Sequence, residues 1–210
     1  TVPLIDSMFI KDSILMYVDL DLNFKITKRN SEDFLCKKNK KSKLDFNAVA
    51  QGYSVDLIAD FLNNKGVIHY LIEIGGELAA KGLNINGEPW KIGIEKPVDN
   101  SFAAEHTFQN IIELNNKSLA TSGNYRKFKI INGQKVAHSI NPKTGYPAKN
   151  SLLSVTVISD KAAEADALAT AFMVMGKEET ISYIKTHSKD SILCYMVYDS
   201  INNYKEWSNF

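Results

Sequence analysis

Residues 151–176 read SLLSVTVISDKAAEADALATAFMVMG, and two kinds of segment meet there. Leu152 to Ser159 has the β-branched, apolar character of a strand. From Lys161 to Met175 the spacing changes: Ala165, Leu168, Ala169, Phe172 and Met175 fall on one stripe of a helix, and Gly176 supplies its stop. A strand leading directly into a helix with one apolar face predicts a mixed α/β protein.

The neighbouring sequence fits that reading. Upstream, Val55, Ile58, Ala59 and Leu62 follow helical spacing, with Lys65-Gly66 as a stop, so a helix is predicted from Gln51 to Asn64. Between the two helices, β character recurs at His69–Ile74, Trp90–Glu95, Ile111–Leu114, Lys127–Ile131 and Gln134–Ile140. Asn132-Gly133 joins the last two as a hairpin turn, because both residues tolerate positive φ. Downstream, Lys177–Thr186 reads as a third helix and Ile192–Tyr198 as a final strand. The expected architecture is α+β in one piece, a mainly antiparallel sheet with flanking helices. The first 43 residues carry weaker signals: a helix near Ser7–Leu15, a strand at Phe24–Thr27, and a lysine-rich run from Lys37 to Lys43 that reads as a solvated loop or, less simply, a phosphate contact.

Composition bounds the function. The 210 residues hold 25 Lys and Arg against 24 Asp and Glu, a net charge of +1, which argues against wholesale nucleic-acid binding and makes any polyanion site local. With 44% hydrophobic residues there is material for a sizeable core, yet no apolar run approaches the roughly 20 residues of a membrane span. The opening Thr1-Val2-Pro3 has neither an initiator Met nor a signal-peptide pattern and reads as processed or truncated. Of the two cysteines, Cys194 reads as a small core residue and Cys36 as a surface thiol, with a bridge between them left open.

Chemistry has few places to sit. Asp166 and Thr170 lie four apart on the second helix, so a carboxylate and a hydroxyl share one side and could offer hard oxygen ligands to Mg²⁺ or Ca²⁺. The same spacing also serves a solvated pair or a threonine bonded back into its own helix. His138 stands where a strand enters the loop SINPKTG, a placement that suits either a base or a structural histidine. Glycine-containing turns occur at Gly75-Gly76, at Thr121-Ser122-Gly123 and in NAVAQG, residues 47–52. None is a Walker A motif or a dinucleotide fingerprint, and no nucleophile elbow is present.

In order along the chain, LDFNAVAQGYSVD (44–56), EIGGEL (73–78), ATSG (120–123), HSINPKTG (138–145) and ADALATA (165–171) resemble the motif series of the ApbE-type FAD:protein FMN transferases. The resemblance covers Leu44 to Gly176 and implies a partial N-terminal region over residues 1–43 and an FAD- and Mg²⁺-binding catalytic core over 44–210. It implies Mg²⁺-dependent transfer of FMN from FAD to a Thr or Ser hydroxyl of a partner protein, releasing AMP. Carried over by motif, Asp166, Thr170 and the main-chain carbonyl of Ala48 are the metal ligands and His138 is the base. Asp45, Gln51 and Ile140 contact the flavin nucleotide, and Thr121, Ser122 and Gly123 lie near its pyrophosphate. Gln51 stands where many members carry Lys, and Asn141 where Asp is common. The family further implies a periplasmic or other extracytoplasmic location, a lipid anchor in the full-length precursor, and a membrane redox-complex subunit as acceptor. Two alternatives remain: a protein that hydrolyses FAD to FMN and AMP, and a non-catalytic module that keeps the fold.

Overall fold

Leu152–Ser159 forms the predicted strand and Ala162–Met175 the predicted helix in the computed structural model, which describes residues 7–96, 108–124, 128–131, 134–137, 139–187, 192–200 and 203–210. Numbered in chain order, these two elements are β10 and α4. Before them come α1 (Ser7–Ser13), α2 (Leu20–Asn23), β1 (Phe24–Arg29), β2 (Glu32–Lys37), α3 (Ala50–Asn64), β3 (Tyr70–Ile74) and β4 (Glu77–Lys81). There follow β5 (Trp90–Glu95), β6 (Phe108–Leu114), β7 (Ser118–Gly123), β8 (Phe128–Ile131) and β9 (Gln134–Ala137). After α4 come α5 (Lys177–Thr186), β11 (Leu193–Ser200) and β12 (Asn203–Ser208).

The main sheet has the strand order β12-β11-β10-β7-β4-β3, and every neighbouring pair is antiparallel. Because side chains alternate across a strand, β10 and β11 feed two cores. Val155, Val157, Cys194 and Met196 pack with Ala165, Ala169 and Phe172 of α4 and Ile184 of α5. Ile158, Tyr195 and Val197 face the other way, against Ile94, Ile112 and Leu114 of the β5–β6 hairpin. Helices therefore cover one face of the sheet and the hairpin the other. A third cluster seats Val55 and Ala59 of α3 on Ile72, Ala79 and Ala162.

The predicted stripe of α4 holds: Ala165, Ala169 and Phe172 are fully buried, with Leu168 and Met175 packed partly against the same core. Helix α3 begins one residue before its predicted start, and α5 keeps its predicted bounds. Four strands correct the sequence reading: β2, β4, β7 and β12. In β7 the residues Thr121, Ser122 and Gly123 are strand rather than a turn, paired with Thr156, Val155 and Ser154 of β10. Strand β4, of sequence ELAAK, has neither alternation nor β-branched residues; it is a strand because β3 and β7 hold its two edges. Likewise β11 is not the last strand, since β12 pairs with it from Tyr195↔Ser208 to Ser200↔Asn203.

Strand β9 ends at Ala137, short of the predicted Ile140, which instead makes an isolated bridge to Pro147. The turn residues Asn132 and Gly133 lie outside the described residues, as do Thr1, Val2, Pro3 and Lys127, but Ile131 and Gln134 on either side of the turn form a ladder pair. The five lysines of the run are exposed, as in a solvated loop, although Lys37 ends β2 and Ser42 between Lys41 and Lys43 is buried. Both cysteines are free, Cys194 fully buried and Cys36 half-buried with its Sγ 3.3 Å from Thr27 Oγ1. No described helix is long and apolar enough to cross a membrane.

Candidate active site

Helices α3 and α4 cross at Gly52. A Cβ on that residue would overlap the carbonyl oxygen of Ala162 and come within 2.8 Å of Ala163 Cα, so the crossing brings backbone against backbone. At the crossing the Gly52 N–H donates to Oδ2 of Asp166 at 3.0 Å. Gly52 is the third residue of α3, among the donors that a helix leaves without an intrahelical partner, and Asp166 satisfies it. Ala48 precedes the helix, whose ladder begins with the Tyr53 N–H on the Val49 carbonyl at 2.9 Å.

Asp166 is 6% exposed, and burial pushes its carboxyl above the ordinary value, an effect that the Gly52 N–H partly opposes. One turn further along α4, Thr170 Oγ1 lies 3.1 Å from Ser122 Oγ on β7, which fixes the position of the threonine hydroxyl. Thr121 has its Oγ1 2.8 Å from Thr156 Oγ1, bonded within the sheet.

These residues border a cavity of about 720 Å³. Asn47 and Gln51 at the start of α3, Gly75, Gly76 and Glu77 in and after the β3–β4 turn, Thr121 to Asn124 on β7, and Asp166, Thr170 and Met173 on α4 all line it. From the far side β5 contributes Lys91 through Glu95, and Ser139 closes part of the rim. Gly75 has φ +67°, and a Cβ there would run into Nε2 of Gln51, so only glycine lets the glutamine lie over this turn. The volume is in the range of small-molecule sites.

Of the residues singled out from sequence, Gln51, Thr121, Ser122, Gly123, Asp166 and Thr170 stand on this one wall. Asp45, Ala48 and Ile140 do not line it, though each is a near chain neighbour of a residue that does. Asp45 is exposed and accepts from the Asn47 N–H at 2.7 Å and from Asn47 Nδ2 at 3.2 Å, ordering the approach to α3. Ile140 is 51% exposed. His138 lies outside the described residues, between Ala137, the last residue of β9, and the rim residue Ser139. Among the other histidines, His69 Nδ1 accepts from the Leu83 N–H at 2.9 Å and His187 stacks on Tyr183, both structural roles; His106 also lies outside the described residues.

Sequence reading assigned no role to Glu73, Glu77, Lys91 or Glu95. Glu73 and Glu77 stand in the EIGGEL segment and could have been noticed there; nothing local marks the β5 residues, which reach the cavity only because the hairpin folds over the sheet. Among the described residues the wall carries Glu73, Glu77, Glu95 and Asp166 against one cation, Lys91. Such a wall repels a bare pyrophosphate and suits one neutralised by a metal. Among the described residues no group of three His, Cys, Asp or Glu side chains could hold a metal. The expected donor set is a carboxylate, a hydroxyl and the carbonyl of Ala48 just ahead of α3, all hard oxygens, and it fits Mg²⁺.

Comparisons with known proteins point to one family. The profile of the ApbE family matches residues 10–196. The chain is 32% identical over 185 residues to the FAD:protein FMN transferase of Salmonella typhimurium, covering 88% of this chain and 51% of that protein. To the FAD:protein FMN transferase of Vibrio cholerae it is 39% identical over 167 residues, covering 79% and 48%. It thus spans about half the length of these relatives. Among solved structures, the apo flavinyl transferase ApbE of Pseudomonas stutzeri superposes with a TM-score of 0.76 at 34% identity, over 91% of this chain and 56% of that one. The Vibrio cholerae flavin transferase ApbE gives 0.72 at 35%, over 87% and 55%. With the family profile matched over residues 10–196 and a fold shared with solved members, the chain belongs to the ApbE family.

Proposed function

We propose that this chain transfers the FMN half of FAD to a Thr or Ser hydroxyl of an acceptor protein, with Mg²⁺ and with release of AMP. The observation that carries the reading is the convergence of Gln51, Thr121 to Gly123, Asp166 and Thr170 on one cavity. The first and last of these residues are more than a hundred positions apart in sequence, and their meeting in one cleft is what a dinucleotide site requires.

Asp166, Thr170 and the Ala48 carbonyl would hold the ion, which would withdraw charge from the pyrophosphate and make AMP a better leaving group. Gly52 keeps Asp166 oriented through its N–H, and Ser122 keeps the Thr170 hydroxyl in place. Gln51 offers an uncharged amide at the mouth of α3, so affinity for the nucleotide depends on the metal rather than on a lysine there. His138, assigned by motif, accepts the proton of the acceptor hydroxyl while its oxygen bonds to the FMN phosphorus. The bond from that phosphorus to the bridging oxygen breaks, and AMP departs with the electron pair.

The test is incubation of the chain with FAD, Mg²⁺ and a candidate acceptor, followed by intact mass measurement. The acceptor should gain the mass of FMN, and Asp166→Ala and His138→Ala should each lower the rate at least a hundredfold. Release of AMP without acceptor modification would instead mark an FAD hydrolase, and absence of FAD binding at high Mg²⁺ a non-catalytic module. On the same family resemblance we assign the protein an extracytoplasmic place, anchored by lipid in its full-length form, and an acceptor among subunits of membrane redox complexes. Fractionation of cells producing the natural protein tests the location.

A further inference from the structure

The N-terminus of α4 is capped from another helix. Asp56, on α3 and 8% exposed, accepts from the Ala162 N–H through Oδ1 at 2.9 Å and from the Ala163 N–H through Oδ2 at 3.0 Å. The residue at the local cap position is Lys161, whose side chain makes no cap bond. Asp56 therefore satisfies two of the four backbone donors that every helix leaves open at its start.

One turn earlier on α3, Gly52 donates to Asp166, which sits one turn later on α4 than Ala162. The two helices thus exchange bonds in both directions, a carboxylate of α3 on the backbone of α4 and a carboxylate of α4 on the backbone of α3. Between the two bonds lies the close approach of Gly52 to Ala162. A step of one residue along a helix is a turn of about 100° and a rise of about 1.5 Å, so two bonds one turn apart specify both rotation and height. A cap needed only for stability could be supplied by Ser or Asp at position 161, at similar free energy and without tying α4 to α3.

We propose that Asp56 is a positioning residue for the metal ligands: its two-pronged hold on α4 keeps Asp166 on the Gly52 N–H, and so holds the Asp166 carboxylate and the Thr170 hydroxyl in register with the start of α3, next to Ala48. The inference rests on the reading of Ala48, Asp166 and Thr170 as ligands of a divalent ion.

Calorimetric titration of the 210-residue chain with Mn²⁺ alone, without nucleotide, tests it at a temperature where circular dichroism shows each variant folded. Asp56→Ala should lower the melting temperature and weaken Mn²⁺ binding at least tenfold. Adding Lys161→Ser to Asp56→Ala supplies a local cap; it should recover most of the melting temperature and leave Mn²⁺ binding at least tenfold weak. If Asp56→Ala proves unfolded, the double variant carries the comparison. Mn²⁺ affinity within twofold of the unaltered chain in either variant would overturn the proposal and reduce Asp56 to a cap. Asp166→Ala separates the two levels. If it abolishes binding while the Asp56 variants bind normally, only the role of Asp56 fails. If Asp166→Ala binds Mn²⁺ as the unaltered chain does, or the unaltered chain binds none, the metal reading fails and the role of Asp56 with it.

Discussion

Asp166 and Cys194 are both buried ionisable residues, and burial has opposite meanings for them. Asp166 loses hydration but borders a polar cavity and accepts a backbone N–H, a setting that rewards the arrival of a cation. Cys194 lies in the apolar core beside Val155, Val157 and Phe172, and burial alone pushes its thiol up from 9.0 to about 12. The sign of its effect follows directly. In the unfolded chain the thiol ionises above about pH 9, whereas in the folded chain it stays protonated to about 12, so folding stability falls as pH rises through that interval. At pH 8 the native chain should therefore take up one equivalent of a thiol-alkylating reagent, at half-buried Cys36, and a second only on denaturation. Rapid native labelling of both thiols by mass spectrometry would contradict the buried, protonated state.

The α3–α4 crossing shows how a helix-disfavoured residue can be required inside a helix. Intrinsic propensity would favour Gly52→Ala by about 1 kcal/mol. Packing opposes it, since the new methyl group would overlap the Ala162 carbonyl, and backbone cannot step aside as a flexible side chain could. Overpacking of this kind costs about 1–3 kcal/mol or more, so packing wins. Urea denaturation of Gly52→Ala should show a net loss of about 2 kcal/mol. A gain in stability would mean that the helices separate freely, and with them the link from Asp166 to Gly52. The adjoining elements were unequally legible. Val55, Ile58, Ala59 and Leu62 announce α3 because one helix face meets one core; Val55 and Ala59 are buried and Leu62 packs beside them, whereas Ile58 is 41% exposed. Ala120 to Gly123 announce nothing, because small residues are chosen in β7 to let α4 pass close above, a demand set by an element far along the chain.

The six-stranded sheet joins segments from Tyr70 to Ser208, with β3 at one edge and β12 at the other. Strand β12 shields the outer edge of β11, whose residues Cys194 to Val197 are buried on both faces, and Trp207 packs partly against the main core. Removing residues 203–210 would leave an apolar strand with unpaired backbone groups along its length, a ready template for pairing with another chain. The shortened chain should elute as oligomers or aggregate in size-exclusion chromatography, where the intact chain should not. A monomeric shortened chain of unchanged melting temperature would show that β12 adds nothing to the sheet.

The sequence alone determined the elements whose pattern is complete within one segment. Helices α3, α4 and α5 and strands β5 and β10 were readable because each carries its own periodicity, stop or β-branched run, and the ordered motifs pointed to a flavin-transferase site. Tertiary structure decided what depends on distant partners. ELAAK became β4 because β3 and β7 hydrogen-bond its edges, and Lys91 and Glu95 joined the cavity because a hairpin folds across the sheet. The Gly52 N–H is the clearest case. At the start of α3 it has no partner within its own helix, and its acceptor is Asp166, 114 residues further along the chain. A backbone group has no sequence signature, and its availability is set by which hydrogen bonds the folded chain completes elsewhere.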